Sequence, residues 1–155
     1  VLMLNLFLLK NTFALEISCL FEEVYQNAEI QQGFFLIKNS KLRYEYHDEN
    51  LFTIIAKKGK FYLISNSNKD SFRILDEDIE LIDELMKIIS DFPNVNEIYS
   101  INKRIYKIER NSKNFIKRIA INSDDLKISI NFLNCEFKKI QDKFFRHFPL
   151  EEYNY

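Results

Sequence analysis

The stretch from Gly33 to Ser65, GFFLIKNSKLRYEYHDENLFTIIAKKGKFYLIS, decides how the fold is read. In KLRYEY, Leu42, Tyr44 and Tyr46 alternate with Lys41, Arg43 and Glu45, so a strand there has one apolar and one charged face. The preceding GFFLIK is a strand-like apolar run that breaks at Asn39 and Ser40. Residues 47–50 form a polar turn, LFTIIA from Leu51 is the next strand, and residues 57–60 turn tightly around Gly59 into FYLIS. Together these pieces predict an antiparallel meander.

Outward from the meander the pattern continues with a short strand at 72–75 and then changes period. DEDIELIDELMKIIS, residues 76–90, places Ile79, Ile82, Leu85, Met86 and Ile89 on one helical face, with Asp76 and Asp78 where a cap and a favourable charge belong. The helix is expected to stop at Pro93. Strands are predicted at 97–101, 104–109 and 114–121, and in LKISINFL at 126–133 Leu126, Ile128, Ile130 and Phe132 alternate with Lys127, Ser129 and Asn131. Many short strands with one substantial helix give an α+β, mainly antiparallel class. The expected architecture is an incomplete half β-barrel of curved strands, with the helix on its concave side as lid or plug.

At 155 residues, 46% hydrophobic and 29% charged, the chain has enough apolar material for one ordinary domain, placed at 15–155. With 22 Lys plus Arg against 23 Asp plus Glu, it lacks the overall cationic balance that gives nucleic-acid binders their affinity, so no nucleic-acid partner is expected. The aromatic content, 15 Phe and 8 Tyr, exceeds what a small core needs and calls for an explanation. Residues 1–14, VLMLNLFLLKNTFA, resemble the apolar region of a secretory signal peptide ending at Ala14; the run is too short to cross a bilayer and is interrupted by Lys10. Cys19 and Cys135 fit an oxidising compartment and pair only if the fold brings them together; they are read as two buried thiols acting as small hydrophobes.

Catalytic signatures are sparse, and no enzyme and no cofactor is expected. His47 sits in a polar turn beside Asp48 and Glu49, and His147 stands apart, so no His/Cys set has metal-ligand spacing. Gly33 and Gly59 are too few to build a phosphate-cradling loop. Asp124 and Asp125 suit a hairpin turn, and KNFIKR suits a solvated strand face.

The run QQGFFLIKNSKLRYEY followed by LFTIIAKKGKFYLIS resembles the first sheet of the LolA-type periplasmic lipoprotein carriers. LFEEV around Phe21 is similar to an early strand of that family, and ISINFLNCEFKKIQDKFFRHFP to its closing strand and aromatic tail, with Phe144 and Phe145 at the apolar-Phe motif. The similarity spans roughly residues 17–148. The family's basic residue before proline falls on Lys38, with Asn39 in place of the proline; charge is kept but the planar fork of arginine is lost.

The resemblance implies a monomeric periplasmic carrier. It would take acylated lipoproteins from an inner-membrane releasing complex, shield their acyl chains in an apolar concavity, and pass them to an outer-membrane acceptor. Candidate lining residues are Phe34 and Leu36, then Leu42, Tyr44 and Tyr46, then Phe61 and Leu63, then Ile128, Ile130 and Phe132; the lid and gate would be Ile82, Leu85, Met86 and Lys38. About 0.8 kcal/mol per buried methylene gives on the order of 12 kcal/mol for a chain of some 15 methylenes. Release then requires a cavity that is partly wet or partly filled by the protein's own lid. A non-transporting envelope-stress sensor or adaptor of the same fold, and a small cytosolic apolar-ligand-binding barrel, are the alternatives.

Overall fold

The computed structural model describes residues 15–75 and 80–147. Among these, β1 (Glu16–Tyr25), β2 (Ile30–Lys38), β3 (Lys41–Tyr46), β4 (Phe52–Lys57), β5 (Lys60–Ser65) and β6 (Phe72–Leu75) precede α1 (Glu80–Ser90). Then come β7 (Ile98–Ile101), β8 (Arg104–Arg110), β9 (Ile116–Asn122), β10 (Lys127–Phe137) and a 3₁₀ turn at Asp142–Phe145. The strands form one open antiparallel sheet in the order β6-β5-β4-β3-β2-β1-β10-β9-β8-β7. Asp76, Asp78 and Ile79, expected to start the helix, lie outside the described residues, as do residues 1–14.

The turns set the registers of the meander. Lys57 pairs with Lys60, and the intervening Lys58 and Gly59 have φ of 51° and 70°, the two left-handed positions of a type I′ hairpin. Between Lys38 and Lys41, Asn39 has φ 55°, a conformation closed to proline, whose ring holds φ near about −65°. Proline at this position would not fit the turn. At Gly33 a Cβ would overlap the Glu45 carbonyl oxygen and the Phe21 ring. The missing side chain lets the Phe21 ring cross the strand and stack on Tyr44 at 4.0 Å between centroids.

The sheet curls around α1. Laid flat, β5 and β8 would be seven strand spacings, about 33 Å, apart. An 11-residue helix is about 16 Å long. Yet Met86 and Ile89 of α1 share a cleft with Phe61 of β5, while Glu84 bonds Tyr106 of β8. Both contacts hold at once only in a curved sheet. The face toward α1 carries the main core, in which Phe21, Phe35, Ile37, Tyr44, Ile119 and Ile130 are buried with Ile82, Leu85, Ile88 and Ile89 of the helix.

A second core lies on the opposite face. Leu36, Ile55, Tyr62 and Ile64 pack there against Ile140 and Phe145 of the C-terminal tail, with Phe34 at the margin. This corrects two readings of the sequence. Phe34 and Leu36, expected to line the concavity, point away from α1, and their neighbours Phe35 and Ile37 take that role. In FFLI all four residues are apolar, so alternation could not decide which pair faced the helix. Lys38 shares the Leu36 face and holds the tail: its Nζ donates to the Ile140 carbonyl at 2.8 Å and meets Asp142 at 3.3 Å. The charged side of β3 is likewise covered rather than solvated, with Arg43 paired to Glu45 and donating to the Phe144 carbonyl at 3.0 Å.

Carboxylates fasten this tail, which gives it a pH dependence. Burial alone would raise the Glu45 carboxyl, but Arg43 and then Lys69 outweigh it and hold it below its usual range. Asp142 is held down by Lys41 and Lys38, whose ammonium groups bond it. A carboxyl depressed in the folded state contributes stability at pH above its unfolded value and loses it as pH falls through the folded one. Corrected hydrogen-exchange protection at the Ile140, Phe144 and Arg146 amides is expected to hold from neutral pH into the mildly acidic range. It should fall below the ordinary carboxylate range before the central strands lose theirs. Equal loss in tail and sheet would contradict this assignment.

The two halves of the sheet meet at β1 and β10. The ladder runs Ser18↔Glu136 and then Leu20↔Leu133, so Cys19 faces the pair Asn134 and Cys135 across a bulge, with Asn134 at φ 52°. Cys19 and Cys135 form a disulfide, their Cα atoms 4.2 Å apart. The expectation of two separate thiols is thus corrected: 116 residues apart in sequence, they become cross-strand neighbours because the last strand returns beside the first. Among the described residues no helix is long and apolar enough to cross a membrane.

Candidate functional site

The helix builds the site. Glu80 and Asp83 in the first turn and Lys87 in the last complement the helix dipole, and the 3.6-residue spacing gathers Ile82, Leu85, Ile88 and Ile89 on the sheet side. Each such buried side chain contributes about 1.5–3 kcal/mol relative to exposure. Met86, expected on the buried face, lies at its edge. The helix ends where the Asp91 and Phe92 amides bond back to Ile88 and Ile89 and Pro93 follows.

Glu84, on the same buried face, is a polar residue that apolar periodicity passes over. Its carboxylate accepts from Asn102 Nδ2 at 2.8 Å, from Arg104 Nη1 at 3.1 and 3.2 Å, and from the Tyr106 hydroxyl. Arg104 also reaches Glu80 at 3.3 Å. Burial, and then the bond to Glu84, push the Tyr106 phenol well above its usual pKa, so it remains a donor. This cluster ties α1 to the β7–β8 hairpin.

On its other side α1 borders an open cleft of about 620 Å³. Ile37, Ala56 and Phe61 of the sheet and Met86 and Ile89 of the helix form apolar walls, while Lys57, Lys60, Asp83 and Lys87 stand among its polar lining. That volume is in the range of small-ligand pockets. Directly beneath the helix the interior is filled: the void between Ile17, Phe35, Ile89, Phe115 and Phe132 measures only about 20 Å³. A further cleft, about 690 Å³, opens past Leu15 beside Phe92, Pro93 and Phe137.

Of the residues singled out in sequence, Leu42, Tyr44, Phe61, Ile128, Ile130 and Phe132 are buried in the core that α1 covers, and Tyr46 and Leu63 lie at its margin. Only Phe61 among them also lines the cleft. The aromatic excess is accounted for largely by packing. At one end of the concave face Phe21, Tyr44, Tyr46 and Phe52 form a chain of ring contacts, and Phe92, Phe115 and Phe137 form another. The first cluster encloses Glu23, which is 4% exposed and accepts the hydroxyls of Tyr25 at 2.6 Å, Tyr44 at 2.5 Å and Tyr46 at 3.0 Å. Burial, and then the Glu23 charge, raise the Tyr44 and Tyr46 phenols, so these hydroxyls stay protonated and donate. The alternation of aromatic and charged residues in β3 signalled the tyrosines, but nothing local identified their acceptor on β1.

The polar turns hold no comparable arrangement. Asp48 caps its own turn, accepting the Asn50 amide at 2.8 Å, and Asp125 accepts the Ser123 hydroxyl at 2.8 Å in the β9–β10 turn. In KNFIKR, Phe115 is buried while Arg118 pairs with Glu109 at 2.8 Å.

Fold and site together define a class: an open, curled antiparallel sheet closed on one face by a helix that is tethered to one half of the sheet and borders an apolar cleft on the other. No protein-family model matches the chain, and no curated protein is significantly similar to it.

Proposed function

We propose that the protein is a periplasmic carrier of acylated lipoproteins, a half-barrel whose helix α1 is the lid. The observation that carries this reading is the cleft of about 620 Å³ between α1 and the β4–β5 half of the sheet, continuous with the apolar core under the helix. An acyl chain enters beside Met86 and Phe61 and takes over apolar contacts that Ile82, Leu85 and Ile89 make in the closed form. Displacement of the protein's own side chains offsets part of the burial gain, so the bound chain remains releasable. The Glu84 cluster is the fixed side of the lid, and no covalent chemistry is involved. The Cys19–Cys135 disulfide supports an oxidising compartment. An inner-membrane releasing complex and an outer-membrane acceptor are the partners this role requires.

The test is release of a triacylated lipoprotein from inner-membrane vesicles. The purified protein is expected to bring it into the soluble fraction as a stoichiometric complex, and Met86→Glu is expected to reduce the yield at least tenfold by placing a charge on the cleft wall. If lipoprotein stays with the vesicles and no acylated ligand co-purifies, the carrier reading fails. The void of only about 20 Å³ beneath α1 favours, as a second reading, a non-transporting sensor or adaptor with a permanently filled interior. That reading predicts no binding of a palmitoylated peptide at any concentration below its aggregation.

A further inference from the structure

The C-terminal tail lies across β2, β3 and β4 on the face away from α1 without joining the ladder of the sheet. One cation from each of those strands donates to a tail carbonyl: Lys38 Nζ to Ile140 at 2.8 Å, Arg43 Nη1 to Phe144 at 3.0 Å, and Lys57 Nζ to Phe145 at 2.8 Å. The Ile140 amide in turn donates to the Glu16 carboxylate of β1 at 2.6 Å. Carbonyls and amides are common to nearly every residue type, so these bonds fix the path of a peptide rather than its sequence. Selection comes from the side chains. Ile140 and Phe145, 3% and 2% exposed, pack into the apolar cluster of Leu36, Ile55, Tyr62 and Ile64. Between them Asp142 meets Lys41 at 3.0 Å and Lys38 at 3.3 Å. The face is therefore built as a peptide groove for the pattern Ile-x-Asp-x-x-Phe, and the chain's own residues 140–145 occupy it.

We propose that this groove also takes the tail of a second copy, so that two molecules dimerise by exchanging tails. Every contact named above runs between the tail and strands β1 to β5. A tail arriving from a second copy restores all of them, and the exchange forfeits none. What favours the resident tail is proximity. Lys138 and Lys139 alone separate the end of β10 from Ile140, and a short linker gives an effective concentration on the order of mM. The same shortness makes the equilibrium easy to move. The two hinge residues span about 7 Å when extended, and without them Ile140 and Phe145 fall short of their seats in their own molecule. Proximity is then lost while the groove and the tail keep their side chains. The inference does not draw on the carrier reading, whose cleft lies beside α1.

The experiment is sedimentation of the purified protein over a concentration series, beside a variant lacking Lys138 and Lys139. The unaltered protein is expected to be monomeric at about 10 μM and to dimerise only toward mM concentrations. The shortened variant should dimerise at concentrations at least about 100-fold lower. Adding Phe145→Asp to it should restore the monomer, because a carboxylate does not enter the apolar seat. A synthetic peptide of residues 138–147, KKIQDKFFRH, should dissociate the dimer, and its Phe145→Asp form should not. The proposal is overturned if the shortened variant, folded by its thermal melt, stays monomeric at about 100 μM. It is equally overturned if Phe145→Asp leaves the dimer intact or if the peptide does not compete. Should loss of the hinge unfold the chain, the unaltered protein decides. Peptide at roughly ten times the effective concentration of the tail should displace it and release the Phe144 and Arg146 amides, bonded within the seated tail, to hydrogen exchange. Unchanged protection of those amides overturns the proposal.

Discussion

Removal of the Cys19–Cys135 disulfide is expected to lower stability by about 4–5 kcal/mol, the largest effect of any single change proposed for this protein. The bond closes 116 residues of chain, so the unfolded state of the reduced protein gains conformational freedom that the oxidised chain lacks. It also sits at the seam between β1 and β10, where the two halves of the sheet join. Urea unfolding with and without reductant, with Cys19→Ser and Cys135→Ser as covalent controls, measures the difference. The two serine variants should match the reduced protein within about 1 kcal/mol, Cys19→Ser being the worse because Cys19 is buried and a hydroxyl there is costly. An unfolding midpoint unmoved by reductant, in protein shown by mass spectrometry to start oxidised, would refute the expectation.

Glu84→Ala is expected to cost about 3 kcal/mol, because it leaves the partly buried Arg104 with only the exposed Glu80 as a partner and the buried Tyr106 hydroxyl without its acceptor. Arg104, Tyr106 and Asn102 all direct donors at this carboxylate, and α1 has its polar attachment to β8 there. Glu84→Gln keeps an acceptor but removes the charge, so an intermediate loss is expected. Denaturant unfolding gives the magnitude, and the slope of the transition distinguishes a loosened helix from uniform weakening. Hydrogen exchange should show α1 opening more readily in Glu84→Ala while the β1–β10 seam stays protected. If Glu84→Ala costs less than about 1 kcal/mol, the cluster is not what tethers the helix.

The sequence read well wherever the structural signal was local. Alternation in KLRYEY and LKISINFL, the Lys58-Gly59 turn, and the helical spacing of Ile82, Leu85 and Ile89 all depend on residues within a few positions of one another, and the corresponding elements stand close to their expected bounds. Of the cleft's apolar wall, Phe61, Met86 and Ile89 were legible in this way, whereas Ile37 and Ala56 were not singled out and Leu42 and Tyr44 lie in the core under the helix. Ile88 and Glu84 were missed on the helix because one was redundant to the pattern and the other contradicted it. A buried carboxylate is tolerable only with donors that arrive from the β7–β8 hairpin, 18 to 22 residues on.

What the sequence by itself determined is the alphabet of elements: short antiparallel strands, one amphipathic helix, polar turns, and enough aromatic surface to pack them. The tertiary structure decided the rest. It chose which of Phe34, Phe35, Leu36 and Ile37 face the helix, because a C-terminal tail covers the opposite face and both faces of β2 are buried. It joined Cys19 to Cys135, gathered Tyr25, Tyr44 and Tyr46 on Glu23, and brought Lys41, the Lys57–Lys60 hairpin and Arg146 to one cleft. Each of these depends on which strand lies beside which. That order follows from closing the first strand against the last, a pairing with no signature along the chain.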